Sequence, residues 1–302
     1  MIQIAVLLTC FNRKAKTLSC LHTFYEVAQK YNDKVDSESR LQFTVFLTDD
    51  GCTDGTADAI KEQFKDKDIH ILQGTGSLFW CGGMRFAWQA ALESKKKWDY
   101  FLLLNDDVEF MDNLFDELFS TNDYCIKQYG MRGIYSGITN SLSDKSKTTY
   151  GGNVWTKKFL GKSRRLAPSG KPQMCDVTNA NILLVPLEVV DKIGIFYEGY
   201  SHGCADYDYA ITARKNGIPA LITSNFCGSC DDDHGSSDEQ ANKVLNMTLK
   251  ERKAYFSNPL HSNVDYLKFI RRNFKIRYPI VWIFRQVNLY CPKLYYGLNK
   301  LR

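Results

Sequence analysis

No apolar run in this 302-residue chain approaches the roughly 20 residues needed to cross a bilayer, so no spanning helix is expected. The opening Met-Ile-Gln-Ile-Ala-Val-Leu-Leu-Thr has neither a basic leader nor a small-residue cleavage site, and reads as a first β-strand rather than a signal peptide. Internal repeats and low-complexity tracts are absent. With 44% hydrophobic and 24% charged residues, disordered and fibrous classes are excluded. No Gly-x-Gly-x-x-Gly follows the first strand, which argues against a nicotinamide dehydrogenase. The missing Gly-x-x-x-x-Gly-Lys-Ser/Thr argues against a P-loop phosphotransferase. A nucleotidyltransferase would also need a Gly-rich loop after strand one to grip triphosphate, and Thr9-Cys10-Phe11-Asn12-Arg13 stands there instead.

Acidic residues are missing from Tyr266 onward, where nine Lys and Arg stand alone, leaving 30 Lys and Arg against 34 Asp and Glu in the body. This basic end is interleaved with Phe269, Ile270, Phe274, Trp282, Phe284 and Tyr290. It reads either as a patch for an anionic membrane surface or as a packed helix with its charges in water. The ten cysteines are scattered through regular segments, which favours free thiols, a reducing compartment and a cytoplasmic location.

The first third alternates strand and helix patterns. Ile4 to Cys10 precedes Lys14 to Tyr31, Phe43 to Thr48 precedes Asp54 to Phe64, Ile69 to Gln73 precedes Met84 to Lys96, and Tyr100 to Leu104 follows. Such alternation predicts a mostly parallel sheet covered by helices, with ligands bound beyond the carboxyl ends of the strands. Apolar runs recur at Ile134 to Ile138 and Ile182 to Val185. The polar stretch Ser141 to Lys171 between them is expected to be a hairpin or flexible loop. Tyr207 to Asn216 has a helical pattern that stops at Gly217, with Pro219 beyond.

Two acidic turns fall at predicted strand ends. Asp49-Asp50-Gly51-Cys52-Thr53-Asp54 follows the second strand; Asp54 suits a helix cap, whereas paired Asp49 and Asp50 repel unless something accepts them, such as the N–H groups of a base or ribose hydroxyls. Asn105-Asp106-Asp107 follows the fourth strand. Hard cations favour carboxylate oxygens completed by substrate phosphates, which makes Asp107 a candidate metal ligand.

Taken with Leu8-Thr9-Cys10-Phe11-Asn12-Arg13 and the later Ala205-Asp206-Tyr207-Asp208, these turns resemble the family-two inverting glycosyltransferases of the GT-A fold, over roughly residues 2 to 235. The resemblance implies an α/β Rossmann-like sheet with helices on both faces. The donor half would cover about 1–110 and the acceptor half about 111–235, followed by a basic, aromatic, helical extension over 236–302. It also implies that Thr9, Arg13, Asp49 and Asp50 cradle the base and ribose of a nucleotide-diphosphate sugar, with Asp50 the base contact. Asp106 would touch the ribose, and Asp107 would hold Mn²⁺ or Mg²⁺ on the diphosphate. Asn105 stands where the metal motif's first acid is common, which leaves Asp107 more of the load. Arg85, on the helix opened by the Gly74 to Gly83 loop, is expected to face the diphosphate.

Inverting transfer needs a base at the acceptor hydroxyl. The family's Glu-Asp base motif corresponds to Ala205-Asp206, so Asp206 is the match for the base, with helix N-cap as its structural alternative. Downstream, Cys227-Gly228-Ser229-Cys230 with His234 could in principle hold zinc, but no second ligand pair accompanies it. By resemblance His234 is a further metal or diphosphate ligand. The acceptor implied is a glycan or lipid-linked saccharide in bacterial surface polysaccharide synthesis, with rhamnosyl or hexosyl transfer expected and no nucleic-acid partner. The competing expectation, kept alive by Asn105 and Ala205, is a GT-A-fold protein that binds a glycan or partner without turnover.

Overall fold

The computed structural model describes residues 1–232, 237–261 and 263–300. The chain opens with β1 (Ile2–Cys10), α1 (Lys14–Lys34), β2 (Leu41–Asp49), α2 (Thr56–Gln63), β3 (Ile69–Gln73), α3 (Phe79–Glu93) and β4 (Tyr100–Leu104). There follow β5 (Glu109–Phe110), α4 (Leu114–Tyr129), β6 (Ile134–Asn140), β7 (Thr148–Tyr150), β8 (Gly152–Lys157), β9 (Lys162–Arg165), β10 (Gln173–Met174), β11 (Val177–Thr178) and β12 (Ile182–Pro186). Next are α5 (Leu187–Ile193), α6 (Ala205–Lys215) and β13 (Ala220–Ser229). The last elements are α7 (Ser237–Asn246), α8 (Leu249–Ser257), α9 (Asn263–Asn273), α10 (Tyr278–Tyr290) and α11 (Pro292–Lys300).

The main sheet runs β10-β13-β6-β12-β4-β1-β2-β3, with β12 antiparallel to both its neighbours and the β4-β1-β2-β3 block wholly parallel. Parallel strands need both faces covered, which is why β1 and β4 read as unbroken apolar runs rather than alternating ones. The period-two pleat divides them. Ile4, Val6 and Leu8 share one core with Cys20, Leu21 and Phe24 of α1 and with Phe115 and Leu118 of α4. There Phe24 meets Phe43 and Phe115 edge-on or tilted at ring distances of 5.0 and 6.1 Å, contacts worth about 0.5–1.5 kcal/mol each beyond area burial. On the opposite face Trp88 of α3 packs on Phe101 at 5.7 Å and on Tyr209 of α6 at 5.6 Å.

Two helices start earlier than the sequence pattern suggests, and the polar stretch expected to be a hairpin or loop resolves into strands. α3 starts at Phe79, not Met84, because the Asp50 carboxylate accepts the N–H groups of Leu78 and Phe79 and so caps the helix from another strand's end. Gly83 is tolerated inside that helix because it lies against Thr9, where a Cβ would come within 2.1 Å of Thr9 Oγ1. The stretch Ser141 to Lys171 contributes β7, which pairs with β6, and the β8/β9 hairpin of a small β11-β8-β9 sheet. α6 begins at Ala205, so Asp206 is its second residue.

The chain divides into two compact units, Met1–Glu198 with Ala205–Asp232, and Gly199–Cys204 with Asp233–Arg302. The second unit is helical. Thr248 and Glu251 form a reciprocal capping box on α8, and Phe269 and Ile270 are buried. Ile276, Ile280, Ile283, Trp282 and Tyr290 are exposed. Among the described residues no helix is long and apolar enough to cross a membrane.

Candidate active site

The parallel register aligns the ends of β1, β2 and β3, pairing Cys10 with Asp49 and Asp49 with Gln73. β4 ends on the same edge, Leu7 pairing with Leu103. Every predicted acidic turn therefore emerges on one side of the sheet.

At the end of β2, both aspartates are buried and occupied by backbone. Asp49 Oδ1 accepts the Cys52 N–H at 2.7 Å. Asp50 takes three amides of the Gly-rich loop, Gly76 at 2.8 Å, Leu78 at 2.9 Å and Phe79 at 3.0 Å. Asp54 is not the cap residue of α2, since Gly55 in the left-handed region fills that place. Its carboxylate accepts N–H groups of Lys14 and Thr56.

The end of β4 is organised by side chains. Arg13 forks across the pair, Nη1 reaching Asp106 Oδ1 at 3.1 Å and Nη2 pairing with Asp107 Oδ2. Thr17 Oγ1 donates to Asp106 Oδ2 at 3.0 Å, and Cys230 lies 3.5 Å from Asp107 Oδ1. Burial lifts the Asp106 carboxyl to about 6 despite Arg13's opposing charge. Asn105 Oδ1 accepts the Trp80 indole N–H at 2.8 Å, so a neutral amide serves there and a third adjacent carboxylate is avoided.

Asp206 comes to the same edge from α6. It is half-buried, and desolvation raises its carboxyl to about 6, opposed by the Tyr207 N–H at 2.8 Å and by hydrogen bonding from Ala180 and Asn179 just before β12. A carboxylate of this strength is mostly ionised at neutral pH and takes a proton more readily than an ordinary aspartate.

Residues 5–124 match the family model described as Glycosyl transferase family 2. Among solved structures, the chain resembles GalNAc-T7 with UDP, GalNAc and Mn²⁺, at 12% identity and a TM-score of 0.55, over 74% of this chain and 43% of that one. It also resembles S. aureus TarS 1–349 in complex with UDP-GlcNAc, at 12% identity and a TM-score of 0.53, over 91% and 73%. The chain thus spans less than half the length of the GalNAc-T7 chain. These likenesses carry the fold, a GT-A α/β sheet. No curated protein matches the sequence.

Within the glycosyltransferase fold not every expected residue converges. Arg85 donates to Cys81 Sγ at 2.9 Å and to the Tyr197 carbonyl at 3.2 Å, lining a groove of about 590 Å³ with Phe86, Gln89 and Glu198. His234 lies outside the described residues. Cys227 and Cys230 are buried free thiols, and among the described residues no group of three or more His, Cys, Asp or Glu is arranged to hold a metal. Asp107 fits a divalent ion in another way. Its side chain is 14% exposed, and one hard carboxylate suffices for Mg²⁺ or Mn²⁺ when substrate phosphates complete the shell. Arg13 would then yield its Asp107 contact.

Sequence reasoning passed over Thr17, Trp80 and Asn179. Thr17 sits at i+4 from Arg13 on α1, where helical spacing alone would have placed it beside the motif. The polar Asn179-Ala180-Asn181 ahead of an apolar strand is the signal that could have marked Asn179.

Proposed function

We propose that this chain is a metal-dependent inverting glycosyltransferase moving a sugar from a UDP- or dTDP-sugar to a hydroxyl of a glycan or lipid-linked acceptor. Bacterial surface polysaccharide synthesis is the setting the motifs suit. The carrying observation is the single sheet edge that collects Arg13, Asp106, Asp107 and Asp206. The printed ligands of the two similar structures, UDP-GlcNAc in one and UDP, GalNAc and Mn²⁺ in the other, support a nucleotide-sugar donor and a divalent ion.

In this reading Thr9 and the Asp49-Asp50 turn shape the nucleoside end of the site, the latter by fixing loop backbone rather than by offering an open carboxylate. Asp106, held by Arg13 and Thr17, faces the ribose. Asp107, together with His234 by the resemblance, would hold the ion, which would supply positive charge to the departing diphosphate. Asp206 takes the acceptor proton while the hydroxyl attacks the anomeric carbon in line. Arg85 contributes to the sugar or acceptor side through the groove it lines.

The test is nucleotide diphosphate release from a panel of nucleotide sugars, with Mn²⁺ or Mg²⁺ and candidate acceptors. Asp206→Asn should lose about 10²–10⁴-fold in turnover with donor affinity kept. Donor binding without turnover in the unaltered protein would support a glycan-binding module instead.

The cytoplasmic, peripheral-membrane part of the reading rests on the C-terminal helices. Ile276, Ile280 and Ile283 follow at i, i+4 and i+7 and are all at least half exposed, flanked by Arg271, Arg272 and Lys275. Ile280→Glu with Ile283→Glu should abolish sedimentation with vesicles containing phosphatidylglycerol. Unchanged sedimentation would remove this part of the proposal.

A further inference from the structure

The groove beside Arg85 follows one face of α3. Leu78, Gly82, Arg85, Phe86 and Gln89 line it at i, i+4, i+7, i+8 and i+11, so it tracks the helix for about 16 Å, the rise of eleven residues. Its other wall is residues 195–198, which follow α5. Both walls belong to the first compact unit. The Arg85 guanidinium joins them by donating to the Tyr197 carbonyl at 3.2 Å, and the Tyr209 hydroxyl of α6 fixes the start of the second wall by donating to the Gly194 carbonyl at 2.9 Å. Phe196, 2% exposed, packs against Trp80 at 5.7 Å and against Trp88 and Tyr209 at 5.5 Å each. A groove of about 590 Å³ supported in this way is preformed, and its size falls among small-ligand sites, about 300–1,000 Å³.

The same contacts tie the groove to the catalytic edge. The Leu78 N–H is one of those held by Asp50, and Trp80 donates its indole N–H to Asn105, next to Asp106 and Asp107. Tyr209 stands three residues after Asp206, one turn along α6. The groove therefore starts at the turn that opens α3 and leads away from the donor turns, with Phe86 and Gln89 two helical turns and more beyond them.

Its lining suits neither a phosphate nor a hydrocarbon chain. Arg85 and Glu198 carry opposite charges, which leaves no net field to hold an anion. A lipid chain would strip water from both charges and from the Gln89 amide without replacing its hydrogen bonds. Phe86 and Tyr197, 41% and 42% exposed, place aromatic surface beside that amide and the Glu198 carboxylate. Rings next to a donor and an acceptor match a ligand with apolar C–H faces and hydroxyl edges.

We propose that this groove is an acceptor subsite for a neutral saccharide: it takes the uncharged sugar residues behind the one whose hydroxyl is glycosylated, with Phe86 and Tyr197 as stacking partners. The inference rests on the reading of the chain as a glycosyltransferase with Asp206 as base.

The probe is a printed array of neutral oligosaccharides and their uronic-acid and phosphate-bearing counterparts, read with fluorescently labelled protein. The unaltered protein should bind neutral members. Phe86→Ala and Tyr197→Ala should each weaken that binding by about 3–10-fold, the scale of one aromatic contact. Gln89→Trp, which fills the groove from an exposed position, should abolish it. All three side chains are exposed, so melting temperatures should stay close to the unaltered protein's. With a donor and a glycan acceptor in hand, the same variants should raise acceptor KM by like factors and keep donor KM within about twofold.

The inference fails if no neutral oligosaccharide binds, if phosphate-bearing members bind best, or if Gln89→Trp binds as well as the unaltered protein. Turnover with unchanged acceptor KM in all three variants would overturn it while leaving the transferase reading in place. Array binding that depends on these residues, in a protein that turns over no nucleotide sugar, would overturn the acceptor role together with the transferase reading and leave a glycan-binding groove.

Discussion

The ends of β2 and β4 each carry paired aspartates on the same edge of the sheet, and the fold uses them in opposite ways. Asp49 and Asp50 are bonded by backbone amides, Asp49 by one in its own turn and Asp50 by three from the Gly-rich loop after β3. Asp106 and Asp107 draw their partners from side chains of other elements, Arg13, Thr17 and Cys230. A carboxylate that takes three loop amides, as Asp50 does, has little capacity left for a cation or a substrate hydroxyl unless the loop rearranges. One held by a 37%-exposed guanidinium can exchange that partner for a ligand. The same sequence signal, an apolar strand running into two acids, thus gives scaffolding in one place and an exchangeable site in the other.

The largest effect that would sharpen this contrast is on turnover. Asp107→Ala should cost about 10²–10³-fold in kcat/KM, the range for losing a major electrostatic stabiliser, and should abolish activation by added Mn²⁺ or Mg²⁺ while leaving the melting temperature close to the unaltered protein's. Initial rates across a metal titration read both. Metal activation that survives the substitution would mean that Asp107 is scaffolding like its β2 counterparts.

Next in size is the converse substitution. Asp50→Ala leaves three loop amides without their acceptor, and relaxation with water recovers only some of them. A loss of about 2–4 kcal/mol is expected, read as a lower denaturant midpoint at an unchanged slope, with donor KM raised because the Gly-rich loop no longer has one conformation. If stability holds and donor binding alone disappears, Asp50 contacts the nucleotide directly and the contrast between the two strand ends breaks.

Most of the fold was legible because parallel strands must be apolar on both faces and βα alternation leaves few topologies. The acidic turns were legible for the same reason, since strand ends in such sheets share an edge. Partner choice was not. Nothing in Asp49-Asp50 against Asp106-Asp107 tells that one pair meets amides and the other a guanidinium, because the donors come from the Gly76 to Phe79 loop and from Arg13, 93 residues before Asp106. Arg85 was expected at the diphosphate because it follows a Gly-rich loop. It instead bonds Cys81 Sγ, one helical turn back, and the Tyr197 carbonyl. Least visible of all is Asp265, which accepts the Ser201, His202 and Gly203 N–H groups, since long-range bonds to backbone atoms leave no motif.

The smallest expected effect extends the contrast to Asp206 and has the opposite sign to Asp50. Desolvation raises the Asp206 carboxyl from the ordinary 3.8 to about 6. Between those values the folded chain binds the proton more tightly than the unfolded one, so stability falls as pH rises through the window and the full penalty is present above about pH 6. A shift of about two units bounds that penalty at about 3 kcal/mol, and a half-buried group should realise about 1–2 kcal/mol of it. Asp206→Asn keeps an oxygen for the Tyr207 N–H but carries no charge to desolvate. It should therefore raise the urea midpoint at pH 8, and the gain should fade below pH 6 and vanish only near pH 3, below both values, where the carboxyl is protonated in the folded and the unfolded chain alike. A variant that loses turnover while gaining stability only at high pH would show that Asp206 is held in a costly state for its chemistry. Equal stability of variant and unaltered protein at both pH values would place Asp206 with Asp50, a carboxylate whose charge is offset by the amides it accepts.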